Sequence, residues 1–551
     1  MVKHRYIGRM MAVGIVCAFS LGACGGREEV MTPTSQIIES TPAPASEASI
    51  ENESTEQEDN LETMKRQQYE ELFKEIEVIK SYKGLLDTNP IMSQRFGADP
   101  YAMPYGDRVY FYMTGDAFEY DTNGEVTDNT YSKIRTINVV STADMVNFED
   151  HGVIRAAGSQ GSAKWANNSW APAAAWKNID GQDKFFLYFA NSGGGIGVLT
   201  ADSPTGPFKD PLGEALVSRN TPNCSDVLWL FDPAVLVDED GRAYLYFGGG
   251  VPEGKVADPG TARVVELGED MISIKGAPVP IDVPYLFEDS GIHKFNNKYY
   301  YTYCTNWQVD QAGTDQYGFH NAEIVSLESD SPMGPFVFKE VILENPGRYF
   351  GLYGNNHHCV FQFQDNWYMA YHTRTLEQKM GIEKGYRCTH VDAFTIQEDG
   401  TIGKIKQTLN GREQLQYADA YVKNQASCVA VMSGVTGVPM DAESTYYGSG
   451  AMALGEIKSG AFVKVQGVDF GEKAPTKCIA EIKNNEEQAG VIQVRADKLY
   501  GEVLGYLAVD ALTDGEFQEF TAQLETELTG VHDLYFIFAG EEYEVSAWRF
   551  E

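Results

Sequence analysis

The sequence is poor in cysteine and in basic residues, and each shortage excludes a class of protein. Only eight cysteines occur in 551 residues and none forms a Cys-x-x-Cys pair, which excludes a disulfide scaffold or a cysteine-based zinc cluster. Lysine and arginine number 43 against 79 aspartates and glutamates, giving a formal net charge of −36. Because nucleic-acid binding needs a basic surface, we expect no nucleic-acid partner. A neutral polymer or a small neutral molecule remains compatible.

Two of the cysteines lie in the N-terminal segment, and six lie further along the chain. These six are too widely spaced to form a scaffold, so we expect most of them to be buried free thiols. A bridge between Cys428 and Cys478 stays open at this point. The six residues are Cys224, Cys304, Cys359, Cys388, Cys428 and Cys478.

Residues 1–24 are predicted to be a lipoprotein signal peptide. Lys3, Arg5 and Arg9 precede the short apolar run "MMAVGIVCAFS", and "LGAC" ends in Cys24. This arrangement resembles the bacterial lipobox, which implies cleavage before Cys24 and lipidation of that residue. The alternative is an ordinary secretory peptide cut nearby. Either case predicts an exported protein, and a lipid on Cys24 predicts anchoring to the membrane at the bacterial cell surface.

Two segments are predicted to precede the first domain. Residues 25–60 are rich in Ser, Thr, Pro and Glu and almost free of aromatics, which is typical of a disordered acidic stalk. Residues 61–85 form a helical lead-in, because apolar residues from Leu61 to Ile79 recur near helical spacing. We expect this helix to dock on the first domain.

An internal repeat predicts the fold of residues 86–415. A turn residue followed by an aromatic-rich strand occurs five times, as "DRVYFYM" at 107, "DKFFLYF" at 183, "GRAYLYF" at 241, "NKYYYTY" at 297 and "DNWYMAY" at 365. The spacings of 76, 58, 56 and 68 residues suit units of about four strands with loops of variable length. The pattern predicts a five-bladed β-propeller.

The repeat is absent after residue 415, and the texture of the sequence changes. Residues 416–551 contain short alternating strands separated by Gly and Asp turns, such as "GAFVKVQGVDFG" and "HDLYFIFAG". Such strands are typical of a β-sandwich or jelly roll. The whole chain is therefore predicted to be all-β, with a propeller followed by a sandwich.

One position upstream of each repeated strand holds residues that suggest chemistry. We assign Asp99, Ala173, Asp232, Glu288 and His357 to this shared position in successive blades. Since the innermost strand of every blade lines the axis of a propeller, equivalent positions should face one another. Clustered carboxylates shift each other's pKa values apart, which can separate an acid from a base. Glycoside hydrolysis needs such a pair, although each Asp-Pro alone could be a structural turn.

The motifs "FGADPYA", "WAPAAAW", "LFDPAVLVDEDGRAYLYF", "FEDSGIHKF" and "GNNHHCVF" resemble glycoside hydrolase family 43, which includes arabinoxylan arabinofuranohydrolases and xylosidases. The resemblance implies an inverting mechanism. Asp99 would be the general base, Glu288 the general acid, and Asp232 the carboxylate that raises the pKa of the acid. Many members have Asp where this chain has Ala173.

The same resemblance implies further site residues. Trp170 and Phe231 would form apolar walls against the sugar, and His358 and Arg387 would contact the substrate. His357 matches a histidine that lies near a bound ion, usually calcium, in relatives, although a satisfied core histidine is the alternative. No cofactor is expected for the chemistry itself, and a structural calcium stays open.

The C-terminal region, with "FVKVQGVDFG", "IQVRADKLYGEVLG" and "AWRF", resembles carbohydrate-binding module family 6. Members grip xylan-type chains with a Tyr and a Trp. Here Glu456 stands where the Tyr is expected and Phe517 where the Trp is common. The usual cleft therefore departs from the family's pattern, and a structural role or another binding face stays open.

The resemblance implies an exported enzyme that removes α-L-arabinofuranosyl groups from arabinoxylan or its oligosaccharides. One alternative is a β-xylosidase acting on xylo-oligosaccharides, because the two sugars present similar hydroxyls. An alternative of another class is a glycan-binding surface lipoprotein without catalytic activity. The presence of all three acids favours the enzyme.

Overall fold

Five antiparallel sheets build the first domain of the computed structural model, which describes residues 63–551. The predicted signal peptide, Cys24 and the stalk over 25–60 lie outside the described residues. The sheets follow one another along the chain, and each adds its strands in sequence order. Their strands are β1 Ala98–Tyr105, β2 Arg108–Thr114, β3 Thr136–Thr142, β4 Phe148–Arg155; β5 Trp170–Ile179, β6 Gln182–Ala190, β7 Gly195–Ala201, β8 Val217–Ser218; β9 Ala234–Val237, β10 Ala243–Phe247, β11 Ala262–Leu267, β12 Ile274–Ile281; β13 Leu286–Phe295, β14 Lys298–Thr305, β15 Ile324–Ser329, β16 Val337–Leu343; and β17 His358–Phe363, β18 Asn366–Thr373, β19 Cys388–Phe394.

The first strands of the five sheets form a closed ring. Strands β1, β5, β9, β13 and β17 each contact the first strand of the next sheet, and β17 contacts β1. Each repeated aromatic motif forms the second strand of its sheet, where buried side chains pack against both neighbouring sheets. Tyr101 on β1 reaches across the ring, and its hydroxyl donates to the carbonyl of Val235 on β9 at 2.7 Å.

Two six-stranded sheets enclose a single apolar core in the C-terminal domain, which we call the sandwich (residues 418–551). Alternate residues of both sheets point into this core, as the period of a half-buried strand requires. One sheet contains β20 Ala418–Asp419, β23 Val431–Ser433, β26 Phe462–Asp469, β28 Gly490–Ala496, β29 Val503–Val509 and β31 Val531–Gly540; the other contains β21 Asn424–Gln425, β24 Thr436–Pro439, β25 Met452–Gly455, β27 Lys477–Asn484, β30 Gln518–Gln523 and β32 Tyr543–Phe550.

Helices are few and short, so the prediction of an all-β chain is confirmed. Helix α1 spans 63–75, and the others are α2 Gln311–Tyr317, α3 Gly347–Phe350, α4 Thr375–Met380 and α5 Ala442–Tyr447. Within residues 63–551, no helix has the length and apolar character needed to cross a bilayer. All six cysteines in this part of the chain are free thiols, so Cys428 and Cys478 are not bridged.

Helix α1 packs on the sandwich, which corrects the prediction that it docks on the first domain. The rings of Tyr69 and Phe73 lie 5.8 and 5.9 Å from the ring of Tyr506 on β29. Arg66 forms an ion pair with Glu525 at 2.5 Å. The helix also ends at residue 75, short of the predicted 85, because residues 76–85 run along the sandwich without helical pairing.

The sandwich is joined to the first domain by backbone pairing. Strand β22, Cys428–Val429, pairs with β4 and becomes the fifth strand of the first sheet. The amide side chain of Asn147 donates to the carbonyl of Gln466 at 2.8 Å and accepts its N–H at 2.9 Å. The side chain of Asn147 thus forms the same two hydrogen bonds with the Gln466 backbone that a residue of a paired strand would form, and they cross the domain boundary.

Candidate active site

Several of the first strands begin with a similar irregularity, and this irregularity positions the functional residues. In sheets one and two, a bulge interrupts the pairing with the second strand just after its first pair, and in sheet four the corresponding bulge follows the pair of Glu288 with Cys304. The residue that opens the bulge has a left-handed backbone, which is uncommon for a residue other than glycine and recurs at functional sites. The left-handed residues that occupy this position in the first four sheets are Asp99 (φ 46°), Ala171 (φ 41°), Asp232 (φ 48°) and Asp289 (φ 70°).

We call this position the bulge position, and its backbone N–H is held by the preceding sheet. The N–H of Asp99 donates to His372 Nδ1 of the fifth sheet at 3.2 Å. The N–H of Ala171 donates to Thr114 Oγ1 of the first sheet at 2.8 Å. In the fifth sheet, the N–H of His358 donates to the Asp289 carboxylate of the fourth at 3.2 Å. His358, the first residue of β17, therefore makes the same kind of contact although β17 has no bulge, and side chains bind neighbouring sheets together around the ring.

This register corrects the predicted set of equivalent positions. Ala171 occupies the bulge position of the second sheet, whereas Ala173 lies on β5 beyond the bulge and pairs with Tyr188. Glu288 and His357 each lie one residue before the bulge position. The predicted series therefore mixed two neighbouring positions, because spacing alone does not reveal a bulge.

Asp99 is buried and surrounded by nitrogen atoms. Arg387 Nη1 donates to Asp99 Oδ1 at 2.8 Å, and His372 Nδ1 and His357 Nδ1 lie 3.0 and 3.6 Å from the same oxygen. Burial opposes ionisation of Asp99, but the charge of Arg387, with smaller contributions from the contacts of His357 and His372, overcomes it and holds the pKa of this carboxyl well below its usual range. Asp99 is therefore ionised at neutral pH, and its carboxylate can accept a hydrogen bond from water.

Asp232 and Glu288 have the opposite environment. Burial raises the pKa of Asp232 well above its usual range, and the charges of Asp99 and Asp289 add to the shift. Burial likewise raises the pKa of Glu288, and repulsion from the neighbouring carboxyls of Asp232 and Asp99 adds to the shift. Glu288 Oε1 is buried and has no hydrogen-bond partner in the described part of the chain. Such a carboxyl keeps its proton and can donate it to a ligand.

Arg387 is the cation that separates the pKa value of Asp99 from those of Asp232 and Glu288. Its own position is fixed by Asp116. Its Nε and Nη2 donate to the two oxygens of Asp116 at 3.0 and 2.9 Å, a bidentate contact. The ring of Tyr131 covers its guanidinium at 4.7 Å. Arg387 is almost fully buried, and its contact with Asp99 orients that carboxylate.

His358 lies beneath the site, which corrects its predicted contact with substrate. Its side chain is fully buried, with Nδ1 2.5 Å from Asp289 Oδ2 and Nε2 2.7 Å from Thr302 Oγ1. Both ring nitrogens are occupied and neither remains for a sugar. Asp289 in turn donates its N–H to Asp232 Oδ2 at 3.0 Å. His358 and Asp289 therefore support Asp232 from below.

His357 was predicted to be a metal ligand, and its surroundings test that prediction. Its Nδ1 lies 3.8 Å from Asp232 Oδ2, and its Nε2 lies 3.2 Å from Asp289 Oδ1. Calcium takes six to eight oxygen ligands, but residues 63–551 contain no group of three or more His, Cys, Asp or Glu side chains arranged to hold an ion. The donors near His357 do not fit a directly bound ion, and no step below is derived through one.

Aromatic residues flank the carboxyls. Trp170 comes directly before the bulge position of the second sheet, is partly exposed, and donates Nε1 to the Tyr131 carbonyl at 3.0 Å. Phe231 holds the equivalent place in the third sheet and packs edge-on against Trp229 at 5.3 Å. A Cβ on Gly249 would lie only 2.7 Å from the Phe231 ring. Phe231 is nearly buried, so Trp170 is the better exposed of the two predicted walls.

Four residues of this site were not predicted: Asp116, Tyr131, Asp289 and His372. Asp289 could have been found by aligning "EDS" with the Asp-Pro pairs of the first and third sheets. Asp116, Tyr131 and His372 carry no such signal, because each is a single residue in a loop or at a strand end. Tyr131 has a left-handed backbone (φ 61°), which appears only in three dimensions.

The ring of sheets, the separated carboxyls and the second β domain together define an all-β carbohydrate-cleaving enzyme with an appended module. The model of Glycosyl hydrolases family 43 matches residues 87–402, and that of Carbohydrate binding module (family 6) matches residues 425–551. The chain therefore belongs to glycosyl hydrolase family 43, and it is a glycoside hydrolase. Both predicted family resemblances are confirmed.

Particular relatives agree with this assignment. The chain is 44% identical over 482 residues to an arabinoxylan arabinofuranohydrolase of Paenibacillus polymyxa, covering 84% of this chain and 74% of that protein. It is 42% identical over 473 residues to one of Bacillus subtilis, covering 83% and 90%. A crystal structure of a family 43 arabinoxylan arabinofuranohydrolase from Bacillus subtilis in complex with cellotetraose superposes with a TM-score of 0.80 at 40% identity, covering 86% of this chain and 99% of that one.

Proposed function

We propose that this protein is an inverting α-L-arabinofuranosidase that removes arabinofuranosyl side groups from arabinoxylan or arabinoxylo-oligosaccharides. The observation that carries the chemistry is the opposite pKa shift of two carboxyls in one ring, with Asp99 below its usual range and Glu288 above it. A base and an acid with separated pKa values are what inversion requires.

In the proposed reaction, Asp99 accepts a proton from water as the water oxygen attacks the anomeric carbon. Glu288 donates its proton to the leaving oxygen of the xylose unit as the glycosidic bond breaks. Asp232 lies beside Glu288, and the repulsion that would arise if both carboxyls were ionised helps to keep Glu288 protonated until the sugar is bound. The product has inverted configuration, and the two protons exchange with solvent before the next cycle.

The fold that we propose for this site is a five-bladed propeller, with each of the five sheets as one blade. The closed ring of first strands supports this arrangement. It places the starts of the five first strands around one opening, which brings residues far apart in sequence together.

The substrate is proposed from the relatives. The two relatives above are named arabinoxylan arabinofuranohydrolases, and the appended family 6 module supports a polysaccharide substrate. The test is hydrolysis of paired nitrophenyl α-L-arabinofuranoside and β-D-xylopyranoside, followed by arabinoxylan. We expect release of arabinose with the arabinosyl substrate strongly preferred. Preference for the xylosyl substrate would replace this proposal with a β-xylosidase.

The roles of the two carboxyls are separated by leaving group and by stereochemistry. For Glu288→Gln we expect a loss of about 10²–10⁴-fold on arabinoxylan but a much smaller loss on an aryl glycoside whose phenol leaves without protonation. For Asp99→Ala we expect rescue by azide with an inverted glycosyl azide as product, monitored by proton NMR. Equal losses on both substrates, or retention of configuration, would contradict the assignment.

We further propose that the protein is exported and held at the bacterial cell surface by a lipid on Cys24. The motif "LGAC" after a short apolar run supports this. Metabolic labelling with an alkynyl fatty acid should mark the wild-type chain and not Cys24→Ala, and the variant should shift from membrane to soluble fraction. Labelling of both chains would contradict the proposal.

A further inference from the structure

A groove with clustered cations lies between the first domain and the sandwich, away from the carboxyl site. It has a volume of about 430 Å³ and is lined by the segment before β5, by the turn after β7 and by α5. Such a volume lies within the range of roughly 300–1,000 Å³ found for ligand sites. Arg155, Lys164 and Lys209 are its charged donors. Three cations around one groove are notable in a chain with a net charge of −36.

Two of these cations are free to bind a ligand. Lys164 and Lys209 are exposed, and their ammonium groups have no hydrogen bond or ion pair with any residue in 63–551. Arg155 donates to the carbonyl of Tyr446 at 3.0 Å, which ties the wall of the first domain to α5. Arg155 therefore joins the two walls of the groove, and the ammonium groups of Lys164 and Lys209 are available to a ligand.

The single acid in the lining, Asp210, forms no ion pair with Lys164 or Lys209 among residues 63–551. Asp210 Oδ2 accepts a hydrogen bond from Trp165 Nε1 at 3.0 Å. Its Oδ1 accepts hydrogen bonds from the backbone N–H groups of Leu212 and Gly213 at 3.0 and 2.9 Å. Both oxygens are thus committed to the protein. Asp202 is near enough to Lys209 for that lysine to help lower the pKa of its carboxyl, but it forms its ion pair with Lys184 at 2.5 Å. More distant acids are screened beyond about 8 Å at physiological ionic strength, so Lys164 and Lys209 supply the positive charge that a ligand meets in the groove.

Aromatic rings complete the groove. Tyr446 is 73% exposed, and its ring lies edge-on to Tyr447 at 4.8 Å. An exposed tyrosine beside a hydroxyl-lined wall, formed here by Ser159 and Ser162, suits the flat apolar face and the rim hydroxyls of a sugar. Cations added to such a surface suit a sugar that carries a carboxylate. A neutral glycan would make no use of the two free ammonium groups.

We infer that this groove binds a glycan bearing uronic-acid carboxylates, such as a xylan segment with glucuronosyl side groups. Lys164 lies six positions before Trp170, in the segment that leads into β5. An acidic substituent held in the groove would place the rest of the same polysaccharide near the site. The binding itself does not depend on the proposed hydrolysis.

The test is isothermal titration of full-length protein carrying Glu288→Gln, which prevents turnover, with two xylo-oligosaccharides. They share one backbone, and only one of them carries a glucuronosyl side group. We expect the acidic compound to bind at least about tenfold more tightly at low salt, with the difference shrinking as salt rises. Equal binding of the two compounds would overturn the inference.

Variants of the groove locate the binding. Lys164→Gln with Lys209→Gln should remove the preference, each lysine contributing about two- to fivefold. Lys406→Gln with Lys458→Gln makes the same charge change at exposed lysines outside the groove and should leave it intact. Tyr446→Ala should weaken both compounds by about two- to tenfold. The inference would be overturned if the double lysine variant kept its preference for the acidic compound. It would also be overturned if acetate displaced that compound as effectively as a second acidic oligosaccharide does.

A kinetic control separates this inference from the proposed function. Lys164→Gln with Lys209→Gln, made without the Glu288 change, should hydrolyse a neutral aryl arabinofuranoside at the wild-type rate. Failure of the glycan titration would then leave the proposed hydrolysis standing. Failure of hydrolysis by the wild type would leave the groove inference standing.

Discussion

The first and third sheets begin with the same dipeptide, and the two aspartates have opposite properties. Asp99 and Asp232 are both followed by proline, both have left-handed backbones near 46° and 48°, and both are 5% exposed. Yet the pKa of Asp99 is lowered and that of Asp232 is raised. The difference lies in Arg387, which contacts Asp99 directly at 2.8 Å. Local sequence and burial are equal, so the charged partner decides which carboxyl ionises.

The largest effect is expected from removing that partner. Arg387→Met should raise the pKa of Asp99 towards that of Asp232 and leave Asp116 buried without its cation. We expect a loss of about 3–5 kcal/mol in the free energy of unfolding. The acid limb of the profile of kcat/KM against pH should also move to higher pH.

The control for this prediction is Arg387→Lys. It keeps the charge but loses the bidentate fork to Asp116, so its pH profile should lie between those of Arg387→Met and the wild type. Urea unfolding and the pH dependence of kcat/KM are the two measurements. An acid limb that stays in place in Arg387→Met would show that Arg387 does not separate the two aspartates.

An intermediate effect is expected from exchanging each aspartate for its amide. Asp99→Asn removes a buried charge that is paired and should cost about 1–3 kcal/mol of stability at pH 7. Asp232→Asn removes a buried carboxyl that lies beside other carboxyls, and should change stability little or raise it by up to about 1 kcal/mol. The midpoints of urea unfolding compare the two variants directly. Equal destabilisation by both changes would remove the distinction between the sheets.

The smallest effect concerns the pH dependence of stability at Glu288. Its folded pKa is raised, so the folded state binds more protons than the unfolded state once the pH exceeds about 4.3, where an unfolded glutamate titrates. Stability from this group is present below that pH and is lost as pH rises towards the folded pKa. The slope is at most about 1.4 kcal/mol per pH unit. Glu288→Gln should flatten this decline, and an unaltered slope would show that another group causes it.

The sequence predicted the all-β class, the two families and the three acids, because repeats and Asp-Pro pairs are visible in one dimension. It misplaced Ala173 and grouped Glu288 with the wrong neighbours, since a bulge shifts the register by one residue without a sequence mark. The family resemblance named Arg387 but not its contact with Asp99. That contact depends on Asp116, a lone residue in a loop.

The lead-in helix shows a second limit. Its spacing predicts which face is apolar, but no pattern says which domain that face will cover. The rings of Tyr69 and Phe73 pack against Tyr506 of the sandwich. A partner chosen by shape and contact between distant segments cannot be read from the periodicity of either segment alone.

The backbone pairing of β22 with β4 has a consequence for how the molecule melts. A module on a free linker would unfold by itself and give its own peak of heat absorption. Here separation of the two domains also breaks a strand from the first sheet and frees both hydrogen bonds between Asn147 and Gln466. We therefore expect the two domains to unfold together as one cooperative unit, with a single peak of heat absorption.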